Sequence, residues 1–177
     1  LRLLLSKRVD AVVLVGSHYL ESNKSDNDYI LSAAEEVPVM MINGYLNHPN
    51  IYCTLCDDYQ AVYDAVGRIA SHGKKNFMFL YRSDSNSSRT KIRGFKDGIE
   101  AAELTLSEDS VKLCSNNISE TKDTLLSLYN EGIRFDAILT SEDVLAVAAV
   151  KFAAGLGLRI PEDLEIVGYN NSLLGIC

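Results

Sequence analysis

The sequence predicts an α/β fold built on parallel sheet. Short apolar runs alternate with longer segments of helical period over most of the chain, the order that βαβ units produce. The apolar runs are continuous rather than alternating in polarity, the pattern of strands covered on both faces. Punctuation agrees: Gly or Asn-Gly closes several runs, and none of the three prolines (Pro38, Pro49, Pro161) falls inside a predicted helix. A chain of 177 residues with 47% hydrophobic content forms one domain or two small ones around a sizeable core.

The elements follow in order. Val12 to Val15 reads as a buried strand, because β-branched residues dominate it and Gly16-Ser17 ends it. Tyr29 to Glu36 reads as a short helix, Val37 to Ile42 as a strand closed by Asn43-Gly44, and Ile51 to Leu55 as another strand. Asp57 or Asp58 caps a helix that runs to about His72, with Gly73 at its C′ position. Asn76 to Tyr81 is a strand and Ser87 to Ala102 a helix. Val111 to Cys114 is a short strand, and Glu120 to Asn130 a helix stopped before Gly132. Asp136 to Thr140 is a strand, Glu142 to Ala154 a helix, and Leu164 to Gly168 the last strand.

Charge and composition exclude several classes. Twenty-four acidic residues against 17 basic ones give a net charge of -7, and phosphate contacts require a Lys/Arg surplus on one face, so this piece is not itself a nucleic-acid binder. No apolar run approaches the ~20 residues of a membrane helix; Val9 to Gly16 is strand-sized. Four cysteines (Cys53, Cys56, Cys114, Cys177) do not make a disulfide scaffold, which favours a reduced cytoplasmic setting. No signal peptide is visible, and the start at Leu1 without Met is that of a piece of a longer protein.

Enzyme signatures are absent from the sequence. No Gly-x-Gly-x-x-Gly follows a strand, Gly155-Leu-Gly157 lies at a helix end, and there is neither a phosphate-binding Gly-Lys-Ser/Thr loop nor a Gly-x-Ser-x-Gly elbow. His18, His48 and His72 are scattered. Cys53-Thr-Leu-Cys56 resembles a redox or zinc pair, but Cys53 falls in a strand rather than at a helix N-terminus, and no second pair completes a zinc site. The chain is therefore read as a non-enzyme without cofactor or metal.

Ligands of open parallel sheets bind beyond the carboxyl ends of the strands. The residues there are Ser17 and His18, Asn43, Asp57, Arg82 to Lys91, Ser115 to Asn117, Ser141 to Asp143, and Tyr169 to Asn171. This mixture of carboxylates, amides and hydroxyls suits an uncharged, hydroxyl-rich ligand, because carboxylates and amides engage neighbouring hydroxyls together.

At the last strand, Gly157-Leu-Arg-Ile-Pro-Glu-Asp-Leu-Glu-Ile-Val-Gly-Tyr-Asn-Asn-Ser172 closely resembles the Gly-Leu-x-Ile-Pro-Glu-Asp-Ile-x-Ile-Val-Gly-Tyr-Asp-Asp signature of the lac/galactose repressor family of bacterial transcription regulators. Further blocks agree in order and spacing: Arg8 to Ser17, Val37 to Asn43, Asp57 with Gly73-Lys-Lys, Arg89 to Phe95, and Ile138 to Ala146. The resemblance covers nearly the whole chain. It implies a periplasmic-binding-protein-like fold, two Rossmann-like subdomains with parallel sheets around a cleft, incomplete at both ends. Residues 1 to 73 would belong to the N-terminal subdomain and residues 74 to 177 to the C-terminal one.

The resemblance also implies a function: the effector-binding core of a homodimeric regulator. It would sense a sugar or sugar phosphate and control operator DNA through a helix-turn-helix headpiece not contained in this chain. A periplasmic sugar-binding protein of a transporter is the alternative on the same fold. The implied ligand contacts are Ser17, His18, Asp57, Arg89, Lys91, Asn116, Glu142, Asp143 and Asn170. Asp57 serves equally as cleft aspartate and helix N-cap, and Asp143 as ligand contact and cap. Lys91 stands where the family carries an Arg, and a Lys lacks the bidentate fork that grips paired hydroxyls. Glu142 replaces the usual Asn. Ser115-Asn116-Asn117 replaces the usual stacking aromatic, a role left to Tyr19 or to other segments.

Overall fold

The structure, a computed structural model, describes residues 1–16 and 27–175. Packing divides the chain into two units: Leu1–Asp57 with Ser85–Ser87, and Asp58–Asp84 with Ser88–Cys177.

The first unit holds helix α1 (Arg2–Leu5), strand β1 (Val12–Val15), helix α2 (Asp28–Glu36) and strands β2 (Val39–Ile42) and β3 (Ile51–Thr54). The strands form a parallel sheet in the order β1-β2-β3. Val12, Leu14, Val39, Met41 and Ile51 point into one core with Ile30, Ala33 and Ala34 of α2. The other face differs from expectation. Val13 and Val15 are 60% and 63% exposed, and Met40, Ile42 and Tyr52 are exposed beside them. A continuous apolar run signals two faces able to be covered; within this unit the described helices cover one.

The second unit holds α3 (Asp58–Ser71), β4 (Phe77–Tyr81), α4 (Asn86–Ala101), β5 (Val111–Leu113), α5 (Ile118–Asn130), β6 (Ala137–Thr140), α6 (Asp143–Leu156) and β7 (Glu165–Val167). Its sheet is wholly parallel, in the order β5-β4-β6-β7. Here the prediction of two covered faces holds. Phe77, Met78, Phe79 and Leu80 are all buried, as are Ala137 to Thr140. Met78, Leu80 and Ile138 face α5 and α6 through Leu125, Leu128, Leu145 and Phe152. Phe77, Phe79 and Leu139 face α3 and α4 through Val62, Val66, Ile69, Phe95 and Ile99.

That second cluster takes in α3: Val62, Val66 and Ile69 bury against Phe79 and Phe95. By packing, then, α3 goes with the second unit, while the expected subdomain division lay after residue 73.

Helices α3 and α4 meet at glycines. A Cβ on Gly94 would overlap the backbone carbonyl of Tyr59, and one on Gly98 would press on Val66. Two glycines a turn apart thus let the helix backbones approach. Helix ends follow their punctuation: Gly73, Gly132 and Gly157 all have positive φ, and Asn117 caps α5 by accepting from the N–H groups of Ser119 and Glu120.

The Gly157–Asp163 segment closes the turn between α6 and β7. The Arg159 guanidinium donates to both Asp163 oxygens at 2.6 and 2.8 Å, and its backbone N–H donates to Oδ2 at 2.9 Å. These bonds hold the Asp163 carboxyl well below the usual carboxylate range. Lys74 Nζ donates to the carbonyls of Pro161 and Glu162, tying the start of β4 to the same turn. Leu164, fully buried, follows directly.

Gly94→Ala should separate α3 from α4 and cost about 1–3 kcal/mol of unfolding free energy, as overpacking does. Urea denaturation checks this, with Gly155→Ala, where no atom lies within 4 Å of the added Cβ, as the neutral comparison.

Candidate functional site

Two helices deliver charged residues to buried positions. On α3 the buried residues are Asp58, Val62, Val66 and Ile69, one helical stripe with a carboxylate at its head. On α4 they are Ser88, Lys91, Gly94, Phe95, Gly98 and Ile99, a second stripe that carries an ammonium near its head. Asp58 and Lys91 are only 7% and 5% exposed.

Their partners come from the carboxyl ends of β6 and β7. Tyr169 Oη donates to Asp58 Oδ1 at 2.6 Å. Lys91 Nζ lies 3.6 Å from the centroid of the Tyr169 ring and donates to the Ser141 carbonyl at 3.3 Å. Its distance to Asp58 Oδ1 is 3.9 Å, an ion pair rather than a hydrogen bond. A buried ammonium is therefore balanced by a carboxylate, an aromatic face and a carbonyl.

Around this cluster the strand ends carry further polar groups. Arg82 forks onto Glu142, both nitrogen–oxygen distances being 2.9 Å. Thr140 Oγ1 donates to the Glu142 carbonyl at 2.9 Å. Asp143, buried at the first turn of α6, accepts from the Ser172 N–H at 2.6 Å, and Gly168 leaves room for that carboxylate. A groove of about 540 Å³ lies alongside, between α6, β7 and the 173–175 turn. Val147, Val150, Ile160, Ile166 and Leu174 give it a mainly apolar wall, with Asp143, Lys151 and Asn171 as its polar members.

Over residues 1–174 the chain matches the family described as periplasmic binding proteins and sugar binding domain of LacI family. The chain belongs to this family. An HTH-type transcriptional regulator of Lachnoclostridium phytofermentans is 54% identical over 177 residues, 100% of this chain and 53% of that protein. The HTH-type transcriptional regulator AscG of Escherichia coli is 25% identical over 169 residues, 95% of this chain and 49% of that protein. The chain thus spans about half the length of the curated relatives it matches. Among solved structures, a sugar-binding LacI-family regulator from Escherichia coli complexed with phosphate superposes with a TM-score of 0.82 at 24% identity, over 98% of this chain and 61% of that one. A LacI regulator from a Rhodococcus species gives 0.81 at 20% identity, over 99% and 63%. The α/β architecture with two parallel sheets that the resemblance implied is the one observed.

The LacI-type contacts expected from sequence fall into three groups. Lys91, Glu142 and Asp143 sit at the carboxyl ends of the second sheet or on the helices beside it. Arg89, Asn116 and Asn170 are exposed: Arg89, in the first turn of α4, donates to the carboxylate and carbonyl of Asp84 in the loop before it, Asn116 sits in the turn before α5, and Asn170 has φ +91 in the turn after β7. Asp57 is exposed directly before α3. Ser17 and His18, with Tyr19, lie outside the described residues. Of the Cys53–Cys56 pair, Cys53 is half-buried in β3 and Cys56 is exposed, and among the described residues there is no group of three or more His, Cys, Asp or Glu that could hold a metal ion.

Asp58, Ser141 and Tyr169 were not singled out as contacts from sequence. Asp58 was legible in principle. It precedes Val62 and Val66 by four and eight residues, so the apolar phase of α3 turns Asp58, not Asp57, to the interior.

Tyr169→Phe should lower unfolding free energy by about 1.5–3 kcal/mol, the range for a hydrogen bond to a charged group, measured by urea denaturation. Burial pushes the Cys114 thiol up to about 11. Iodoacetamide at pH 8 should therefore label exposed Cys56 and spare Cys114, as peptide mapping reads out.

Proposed function

We propose that this chain is the effector-binding core of a LacI-type transcription regulator. The observation that carries the reading is the 54% identity, across all 177 residues, to a protein named as an HTH-type transcriptional regulator. The same relative favours a regulator over a periplasmic transport protein. The effector is a sugar or sugar phosphate, held by polar groups at the strand ends; Lys91, Glu142, Asp143, Asp57, Arg89, Asn116, Asn170, Ser17 and His18 remain the proposed contacts, with Asp58 and Tyr169 fixing the first of them. The two packing units serve as the two subdomains, with the first ending at Asp57 rather than residue 73. No chemistry is performed on the ligand.

In the whole regulator, a homodimer working in the cytoplasm, the ligand favours one relative placement of the subdomains. A helix-turn-helix headpiece then engages operator half-sites whose spacing depends on that placement. The linkage between ligand and DNA is a coupling free energy of about 1–3 kcal/mol, or roughly 5–150-fold in affinity.

The test is a panel of neutral sugars and sugar phosphates against the natural full-length protein. At least one should raise the melting temperature and change the affinity for DNA upstream of its own gene by that factor in fluorescence anisotropy. If none does either, the sensing role is wrong.

A further inference from the structure

Ser141 follows β6 directly and is 2% exposed. Its backbone is fully used: the N–H donates to the Leu80 carbonyl at 2.8 Å, and its own carbonyl accepts from Lys91 Nζ. Its side chain is not. Among the described residues, Ser141 Oγ is the buried side-chain polar atom without a hydrogen-bond partner. Everything around it is matched. Thr140 Oγ1 bonds the Glu142 carbonyl, Glu142 bonds Arg82, and Asp143 bonds the Ser172 N–H. Folded proteins seldom leave a buried hydroxyl unpartnered, and one that persists amid a satisfied network calls for a reason.

Its location supplies one. The carboxyl end of a central strand in an open parallel sheet is where ligands bind, and the Lys91 bond to the Ser141 carbonyl fixes this residue against the buried ionic cluster. The nearby charges are already committed, Lys91 to Asp58 and Arg82 to Glu142. A neutral hydroxyl group is left to do the selecting. Resting on the function proposed above, we infer that the Ser141 hydroxyl contacts the effector and selects for a neutral sugar by exchanging a hydrogen bond with one of its hydroxyls.

The experiment is a thermodynamic cycle in the natural full-length protein. D-glucose, D-galactose, D-ribose, L-arabinose and cellobiose, with their monodeoxy analogues, are titrated calorimetrically into wild type and Ser141→Ala. For a neutral sugar that binds wild type, Ser141→Ala should weaken binding about tenfold, the equivalent of one hydrogen bond. The deoxy analogue lacking the contacted hydroxyl should bind both proteins equally, because the interaction is already lost. Ligand-free Ser141→Ala should melt no lower than wild type, since it removes an unpartnered group; that melt also shows the variant to be folded. Equal sugar affinities in the two proteins would overturn the inference and leave the sensing role standing. A lower ligand-free melt with equal affinities would mean the hydroxyl holds only a structural water. Binding of a sugar phosphate to wild type with none of these neutral sugars binding would overturn the selection for a neutral sugar and leave the sensing role standing.

Discussion

The second unit is organised around a desolvated charge pair. Asp58 heads the buried stripe of α3, Lys91 lies in the buried stripe of α4 just after Ser88, and both are almost fully buried. An isolated buried ion costs several kcal/mol, so each constrains the other and both constrain their neighbours. The Tyr169 hydroxyl must reach Asp58, its ring must lie under the ammonium, and the carbonyl at the end of β6 must face the lysine. The ends of α3, α4, β6 and β7 are thereby placed by one electrostatic requirement. Replacement of a guanidinium fork by an ammonium makes sense in this setting, since a compact charge can be shared among an aromatic face, a carboxylate and a carbonyl.

The family signature in the sequence plays a different part from the one its prominence suggests. Arg159 and Asp163 face each other across a turn, Lys74 closes the same turn from the segment before β4, and Leu164 then enters the core. Most of the Gly-Leu-Arg-Ile-Pro-Glu-Asp string is thus occupied in delivering β7 to the sheet edge. Only its continuation, Tyr169 and the residues after it, reaches the polar cluster. A motif can identify a family through the turn it builds rather than through what it binds.

The order of elements was legible because apolar runs and glycine stops are local properties. Every predicted strand and helix of the described residues appears within a few positions of its expected place. The allocation of α3 was not legible from local pattern, since whether Val62 and Val66 bury against one sheet or another depends on a partner, Phe79, remote in sequence. The same holds for the site. Lys91, Glu142 and Asp143 enter as expected contacts through the family resemblance, while Asp58 was hidden beside Asp57 and needed the helix phase to separate them. Ser141 was legible only as a residue at a strand end; that its hydroxyl is unpartnered could not be read, because this is defined by what surrounds it.

The glycine contact between α3 and α4 has a mechanical corollary. With the Tyr59 carbonyl seated where a Gly94 side chain would be, the two helices have no soft layer between them on which to slide. Lys91 lies three residues before that contact and Asp58 one residue before its partner. The ammonium and the carboxylate are therefore carried on what is in effect a single rigid strut. A movement that passes through this unit would carry the charge pair along as one piece.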